Sequence, residues 1–164
     1  MRMCQIDDGS CMRKKESLPR IDPELIAPCG MNCAICSAYL AGLNELKRKK
    51  GKIAYCKGCR ARDKKCAFLK KRCEDGLKLL HGKVEFCYQC NRFPCKSLSR
   101  LDARYKTQYG MSMIANLIFI RENGIEAFIQ QQYEKYRCER CGGLMSIHAK
   151  GKCFACDIIR TRKG

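Results

Sequence analysis

The sequence contains no tryptophan, only two histidines and four prolines, and aromatic residues make up 8% of its 164 positions. Large aromatic side chains supply much of the buried apolar area of most cores, so this chain has little material for a large one. Its longest apolar run, residues 111–120, is interrupted by Ser112 and Asn116. That run is far shorter than the roughly 18 residues that a membrane span requires. We expect no membrane segment and, since residues 1–20 hold no apolar stretch, no signal peptide.

Cysteine, in contrast, is in large excess, with sixteen residues. A chain without a signal peptide is expected in the cytoplasm, where thiols stay reduced and disulfides are rare. We therefore interpret the cysteines as metal ligands. Metal binding would then supply much of the stability that the small core lacks.

Acidic residues are also few, with 16 against 34 lysines and arginines and a formal net charge of +18. Residues 29–95 alone carry 16 basic and 5 acidic residues. Three four-thiolate zinc sites, at about −2 each, would lower the total to roughly +12. A surplus of this size favours a polyanionic partner, the alternative being a solvated basic surface.

Four segments differ in composition and periodicity. Residues 1–28 predict a flexible leader, residues 29–95 a cysteine-rich metal-binding domain, residues 96–137 a helical segment, and residues 138–164 a zinc ribbon with a basic tail. We therefore predict a small metal-stapled fold, mainly α with irregular loops. It would contain a cysteine-rich zinc-binding core, a helical hairpin and a C-terminal β zinc ribbon.

Apolar residues recur at helical spacing in several parts of the chain. They predict helices over residues 33–50, 97–109, 112–121 and 125–136, and one or two helical turns within residues 66–80, where Gly76 interrupts the pattern. Asn123 and Gly124 lie between the last two predicted helices, and an Asn-Gly pair is typical of a tight turn. The two helices are therefore predicted to form the hairpin.

The C-terminal segment carries the clearest metal motif. Cys138 and Cys141 form one C-x2-C pair, and Cys153 and Cys156 form a second after eleven residues. Two such pairs brought together by a short hairpin bind one tetrahedral zinc ion. His148 could replace a thiolate, but four cysteines already complete the shell.

Ten further cysteines lie in the central segment: Cys29, Cys33, Cys36, Cys56, Cys59, Cys66, Cys73, Cys87, Cys90 and Cys95. Ten thiols suffice for two four-ligand sites, which would give about three zinc ions in the whole chain. Their pairing does not follow from spacing. An iron–sulfur cluster in residues 29–95 is the alternative, because spacing alone does not fix the metal. Cys4 and Cys11 in the leader could supply metal ligands, but thiols in a tail are more often free, so the sequence leaves their role open.

The order of these motifs resembles a widespread cysteine-rich family of archaeal and anaerobic bacterial proteins, catalogued as a domain of unknown function. The resemblance rests on APCGMNCAIC at residues 27–36, CKGC at 56–59 and FCYQCNRFPC at 86–95, followed by the block from 109 to 138. It implies a metal-binding fold, with zinc as the expected metal, and no established activity. The strong positive charge and the leader depart from the family pattern.

We expect a zinc-stabilised binding module for RNA or a ribonucleoprotein, because lysine and arginine neutralise phosphates. The predicted contacts are Lys57, Arg60, Arg62, Lys64, Lys65, Lys70, Lys71 and Arg72. The alternatives are an adaptor that binds another protein through the helical hairpin, and an iron–sulfur electron-transfer or metal-handling protein. The sequence has no glycine-rich phosphate loop and no nucleophile with a placed histidine, so we do not expect an enzyme.

Overall fold

A computed structural model describes residues 21–46, 55–60, 73 and 84–156. Its α-helices are α1 (Ser37–Leu43), α2 (Lys96–Tyr109) and α3 (Met113–Tyr136), and short 3-10 turns span Pro23–Leu25, Cys33–Ile35 and Cys87–Gln89. The described part of the chain is therefore mainly helical with irregular connections, as predicted. Within it, no helix is long and apolar enough to cross a bilayer.

Strands are absent from these described ranges, where β-pairing is limited to isolated bridges. The bridges join Ile26 with Asn32, Arg137 with Leu144, and Ser146 with Lys152. The predicted C-terminal β ribbon is thus represented by two bridges and not by strands. Each of the two short loops there is closed by a single bridge.

One cluster of buried side chains joins segments that the sequence separates. Ile35, Leu98 of α2, and Leu117 and Phe128 of α3 are at most 1% exposed, and Ile147 from the C-terminal region belongs to the same cluster. Its packing brings the cysteine-rich loops, the helices and the C-terminal loops into contact. The cysteine positions are therefore supported by a shared apolar core.

The core also extends into the segment assigned to the leader. Ile21, Leu25, Ile26 and Ala27 are buried, so residues 21–28 pack with the core and the flexible-leader prediction is wrong for them. Burial of these apolar side chains orders the segment, although the prolines and charges nearby favour a flexible one. Residues 1–20, with Cys4 and Cys11, lie outside the described residues.

The loop around Gly30 lies directly against α3. Asn116 of α3 donates a hydrogen bond to Gly30 O at 2.8 Å. The φ of Gly30 is +83°, and a Cβ atom there would lie 2.5 Å from Met113 O and 2.9 Å from the Leu117 side chain. Only glycine permits both this backbone conformation and this close approach.

Helix α1 is shorter than the predicted helix over residues 33–50. Cys36 has an extended conformation (φ −77°, ψ 133°) and separates the 3-10 turn at Cys33 from α1. At the other end, the Asn44 side chain donates to Leu40 O at 2.8 Å, and Glu45 has a φ of +49°. The 3-10 turn at Cys33–Ile35 thus displaces the start of α1, and a local cap ends the helix. The predicted end at residues 47–50 lies outside the described residues.

Helix α2 agrees closely with the predicted helix over residues 97–109 and is tied to α3 by a buried carboxylate. Asp102 accepts hydrogen bonds from Ser112 Oγ at 2.6 Å and Ile114 N at 3.0 Å, and Lys106 Nζ lies 2.9 Å away. Although burial raises the pKa of Asp102, these bonds and the lysine charge lower it overall. The carboxylate therefore fixes the start of α3 relative to α2.

Helix α3 consists of two helical halves that meet at a kink. Gly124, with φ +83° and ψ 166°, is non-helical. The rings of Phe119 and Phe128 are 6.2 Å apart between centroids, whereas nine residues of straight helix span about 13 Å. The chain thus changes direction at the glycine where the sequence predicted a turn.

Candidate metal centres

The C-terminal cysteines lie on two short loops that follow α3. The first loop is closed by a hydrogen bond from Cys138 N to Gly143 O at 2.6 Å. The second is closed by a bond from Ser146 N to Lys152 O at 2.8 Å and leads into Cys153. Each loop presents one C-x2-C pair, as the spacing predicted.

The four C-terminal thiols form a compact group. The Sγ atoms of Cys138, Cys141, Cys153 and Cys156 all lie within 4.8 Å of one another. Two of the distances are 3.8 Å, from Cys138 to Cys156, and 3.5 Å, from Cys141 to Cys153. Thiolates held about 2.3 Å from zinc at tetrahedral corners are about 3.8 Å apart, and a disulfide requires about 2 Å. The group could therefore hold one metal ion.

Their ionisation is uneven. A hydrogen bond from the backbone N–H of Arg140 lowers the pKa of Cys138 to about 6. A hydrogen bond with the Cys141 thiol, together with burial, raises the pKa of Cys156 to about 12. The Cys138 thiol therefore loses its proton readily, whereas ionisation of Cys156 is opposed by the sulfur atoms around it. A bound cation removes this difficulty, because a coordinating thiol is deprotonated.

The C-terminal loops are held against α1 and α2. Ile147 N donates to Ile35 O at 3.0 Å, and the hydroxyls of Ser37 and Ser146 are 2.7 Å apart. His148 Nε2 lies 3.0 Å from Tyr105 Oη, and its Nδ1 accepts from Ser37 N at 3.4 Å. His148 thus positions the loops, and both of its ring nitrogens are engaged away from the four thiols.

In the central segment, Cys33, Cys36 and Cys56 lie near one another. Cys36 N donates to Cys33 O at 3.0 Å, and Cys56 N donates to Ala38 O at 3.1 Å. Burial raises the pKa of Cys36, and the nearby thiols of Cys33 and Cys56 raise it further. The structure therefore joins the second C-x2-C motif, which starts at Cys56, to the first.

A second group surrounds Cys87. Cys90 N donates to Cys87 O at 3.1 Å, and Cys87 N donates to Pro28 O at 2.8 Å. Burial raises the pKa of the Cys87 thiol well above its usual range. Four neighbouring thiols raise it further: Cys29, Cys73, Cys95 and Cys90. This group therefore includes cysteines from distant parts of the sequence.

Of the predicted nucleic-acid contacts, Lys57 is exposed, but Arg60 is not available. The Arg60 side chain is 8% exposed, and its guanidinium lies 3.5 Å from the Glu85 carboxylate. Its Nε donates to Ile26 O at 2.8 Å, and the group lies 4.8 Å from the centre of the Phe86 ring. Arg60 is thus a packing residue, which corrects the prediction of a phosphate contact.

Several predicted site residues lie outside the described residues. They are Cys66, Arg62, Lys64, Lys65, Lys70, Lys71 and Arg72. The helical turns predicted within residues 66–80 also fall there, apart from Cys73. Their metal and nucleic-acid roles stay predictions.

A basic surface that the sequence analysis missed lies on α2. Lys96, Arg100 and Arg104 are all exposed and spaced four residues apart, so they lie along one face of the helix. Asp102, the one acidic residue of α2, is buried against Lys106 and does not offset them. The repeat of basic residues at four-residue spacing was the signal in the sequence. We call these three residues the α2 stripe.

Residues 25–100 match the model of a family described as a protein of unknown function, DUF3795. Comparisons with curated proteins and with solved structures gave no match. The matched segment contains all ten central cysteines and ends before the C-terminal group. The match supports the resemblance to a family of unknown function. The archaeal and anaerobic bacterial distribution stays a prediction.

Proposed function

We propose that this protein is a cytoplasmic, zinc-stabilised binding module whose partner is RNA or a ribonucleoprotein. The observation that carries the metal part is the spacing of the C-terminal thiols, 3.5 and 3.8 Å between the paired sulfur atoms. This spacing is that of four ligands around one ion. A cluster of several iron atoms would hold its thiolates farther apart.

Zinc in such a site has a structural role. Four thiolates close the tetrahedral shell and leave no open position for substrate or water. The loops that carry them contain no strand among the described residues, so zinc would supply much of their folding free energy. About three zinc ions are expected, one here and two in the central segment.

The test is the metal content of anaerobically purified protein. We expect a colourless protein with about three zinc ions, and a loss of one ion in Cys141→Ser. Ala155→Ser, in the same loop as Cys153, is the matched control and keeps all three. A brown protein with stoichiometric iron and sulfide would contradict the zinc proposal and support an iron–sulfur cluster instead.

The RNA part is supported by the α2 stripe. Like charges four residues apart on a helix repel and destabilise it. Successive residues of the stripe are about 6 Å apart along the axis, and a polyanion lying along the helix would contact all three and relieve their repulsion. The Arg104 guanidinium lies 5.7 Å from the Tyr105 ring centre, and a guanidinium plane is a surface on which an unpaired base can stack.

RNA binding is tested with single-stranded RNA over a range of salt concentrations. Reversal of Lys96, Arg100 and Arg104 to glutamate should weaken binding strongly. The slope of the logarithm of the binding constant against the logarithm of the salt concentration should become less steep by about 2, at roughly 0.7 for each phosphate contact that is lost. The matched control reverses three exposed cations elsewhere, Arg121, Lys135 and Lys150.

The control changes the net charge equally, so a purely non-specific attraction would weaken equally in both variants and contradict a role for the stripe. Zinc content should be unchanged in both. If wild-type protein shows no salt-dependent RNA binding, the RNA proposal fails and a protein-binding adaptor on the same scaffold replaces it.

A further inference from the structure

The four C-terminal cysteines differ in their exposure to solvent. Cys138 and Cys153 are each 4% exposed, and Cys156 is partly buried. Cys141 is exposed, and it is the only exposed cysteine among the thirteen that the structure describes. The C-terminal thiol group is therefore open to a small molecule at one corner, whereas the described central cysteines are all at least partly covered.

The two residues that follow Cys141 explain this exposure. They are Gly142 and Gly143, so neither has a side chain that could cover the sulfur atom. A Cβ atom on Gly143 would lie 3.4 Å from Cys141 Sγ, and its absence leaves this side of the sulfur uncovered. The φ of Gly142 is +73°, a conformation that favours glycine. The tight turn that closes the first loop thus also leaves its second thiol accessible.

Cys153 is placed to react with an oxidised Cys141. The Sγ atoms of the two residues are 3.5 Å apart, whereas Cys138 Sγ lies 3.8 Å from Cys156 Sγ. A disulfide requires about 2 Å, so Cys141 and Cys153 must approach by about 1.5 Å. They lie on different loops, each closed by its own backbone hydrogen bond. A small movement of one closed loop toward the other is therefore sufficient to join them.

We propose that Cys141 is the site at which a hydroperoxide oxidises the C-terminal centre, and that the product is a disulfide between Cys141 and Cys153 in place of the zinc ion. This inference rests on the proposal that the four C-terminal thiols hold zinc, and it adds their reaction with an oxidant. Hydrogen peroxide is the simplest oxidant of this class.

The reaction consumes one molecule of peroxide and two protons. The Cys141 thiolate attacks the peroxide, so that a sulfur–oxygen bond forms, the oxygen–oxygen bond breaks and hydroxide leaves. The Cys153 thiolate then attacks the sulfur of the resulting sulfenic acid, which forms the disulfide and releases a second hydroxide. Two protons from solvent convert both hydroxides into water. The two sulfur atoms together lose two electrons, and these electrons reduce the peroxide.

The oxidised centre can no longer hold zinc, but its two loops stay joined. Only Cys138 and Cys156 remain as thiols there, and a structural zinc site requires four ligands. Because the disulfide links the same loops that the ion linked, the hydrogen bond from Ile147 N to Ile35 O at 3.0 Å should persist. Reduction by an external thiol would restore all four ligands. In the cytosol, disulfides of this kind are transient and redox-sensing.

The test uses the full chain, loaded with zinc under anaerobic conditions. Hydrogen peroxide is added, released zinc is measured with a colorimetric chelator, and the remaining thiols are alkylated before the disulfides are mapped by mass spectrometry. We expect the first ion to be released together with formation of a Cys141–Cys153 disulfide, and a thiol reductant with added zinc should restore the ion. A first disulfide between other cysteines, sulfinic acid at Cys141 without a disulfide, or full retention of zinc would overturn the inference.

The zinc content before peroxide is added tests the proposed function separately. A C-terminal thiol group that binds no zinc would refute both proposals. A loaded centre that resists peroxide would refute the oxidation alone and leave the zinc-stabilised module intact.

Two histidine variants separate the role of Cys141 from the general loss of a thiolate. Histidine can replace one cysteine in a four-ligand zinc shell, so Cys141→His and Cys156→His should both keep the ion. Cys141→His lacks the exposed thiol and should lose the peroxide-dependent release of this ion. Cys156→His, the matched control, keeps Cys141 and Cys153 and should release the ion with the same disulfide. Equal rates of release from the two variants would contradict oxidation at Cys141. If either variant fails to bind zinc, the disulfide map of the wild-type protein decides.

Discussion

Substitution of Gly30 by alanine tests whether the cysteine-rich loops and the helices fold as one unit. The new methyl group would lie 2.5 Å from Met113 O and 2.9 Å from the Leu117 side chain. Ordinary contact begins near 3.4 Å, so the loop must move about 0.9 Å away from α3. Because Met113 O belongs to the helix backbone, rotation of a side chain cannot relieve the overlap.

The cost can be estimated from three contributions. Overpacking a tightly packed interior costs about 1–3 kcal/mol, and a left-handed conformation at a residue with a Cβ costs about 1–2 kcal/mol. Loss of the Asn116 hydrogen bond to Gly30 O adds about 1 kcal/mol. We expect a destabilisation of about 3–6 kcal/mol, which is a large part of the stability of an ordinary domain.

The assay is reversible urea unfolding of the metal-loaded protein under anaerobic, reducing conditions, followed by circular dichroism. Gly124→Ala is the matched control, because Gly124 has the same φ of +83° but nothing within 4 Å of the added Cβ. It should cost about 1–3 kcal/mol from backbone strain alone. Equal losses in the two variants would refute the close packing of the Gly30 loop against α3.

Two further predictions concern side chains that join the helices and loops. Asp102→Asn should destabilise the protein by about 2 kcal/mol in thermal unfolding without changing the zinc count, because hydrogen bonds to a charged group are lost. Since the pKa of Asp102 is lowered in the folded state, its stabilisation is present above about pH 4 and is lost as the pH falls further, whereas the Asn variant lacks this dependence. His148→Phe should cost about 1–2 kcal/mol, from the bonds to Tyr105 and Ser37, and should keep the full zinc content; loss of an ion would make His148 a ligand.

Local patterns were sufficient for α2 and for the grouping of the four C-terminal thiols. Leu98, Leu101 and Tyr105 recur at helical spacing, and the structure has α2 at that place. The two C-terminal C-x2-C pairs are close in sequence, so a short turn can bring them together, and their four sulfur atoms lie within 4.8 Å. Such features depend on residues that are close in sequence, so they can be predicted without knowledge of the rest of the fold.

Arg60 and the start of α1 could not be obtained in this way. A basic residue in a basic loop predicts a solvated surface, but Arg60 is covered by Phe86 and bonded to Ile26 O. The apolar spacing from Ile35 onward predicts a longer helix, but the turn between Cys33 and Cys36 delays its start. In both cases, contacts made elsewhere in the chain outweigh the local preference.

The sequence by itself determined the chemical groups of this protein: cysteines in C-x2-C pairs, a surplus of positive charge, and apolar residues at helical spacing. The tertiary structure alone decided which thiols share a neighbourhood and which cations face water. Cys29 lies beside Cys87 because Pro28 O accepts the hydrogen bond of Cys87 N, and no spacing rule encodes that contact. Thiol pairing and burial depend on residues far apart in the chain, whose approach is set by packing around Leu117, Phe128 and the rest of the shared core.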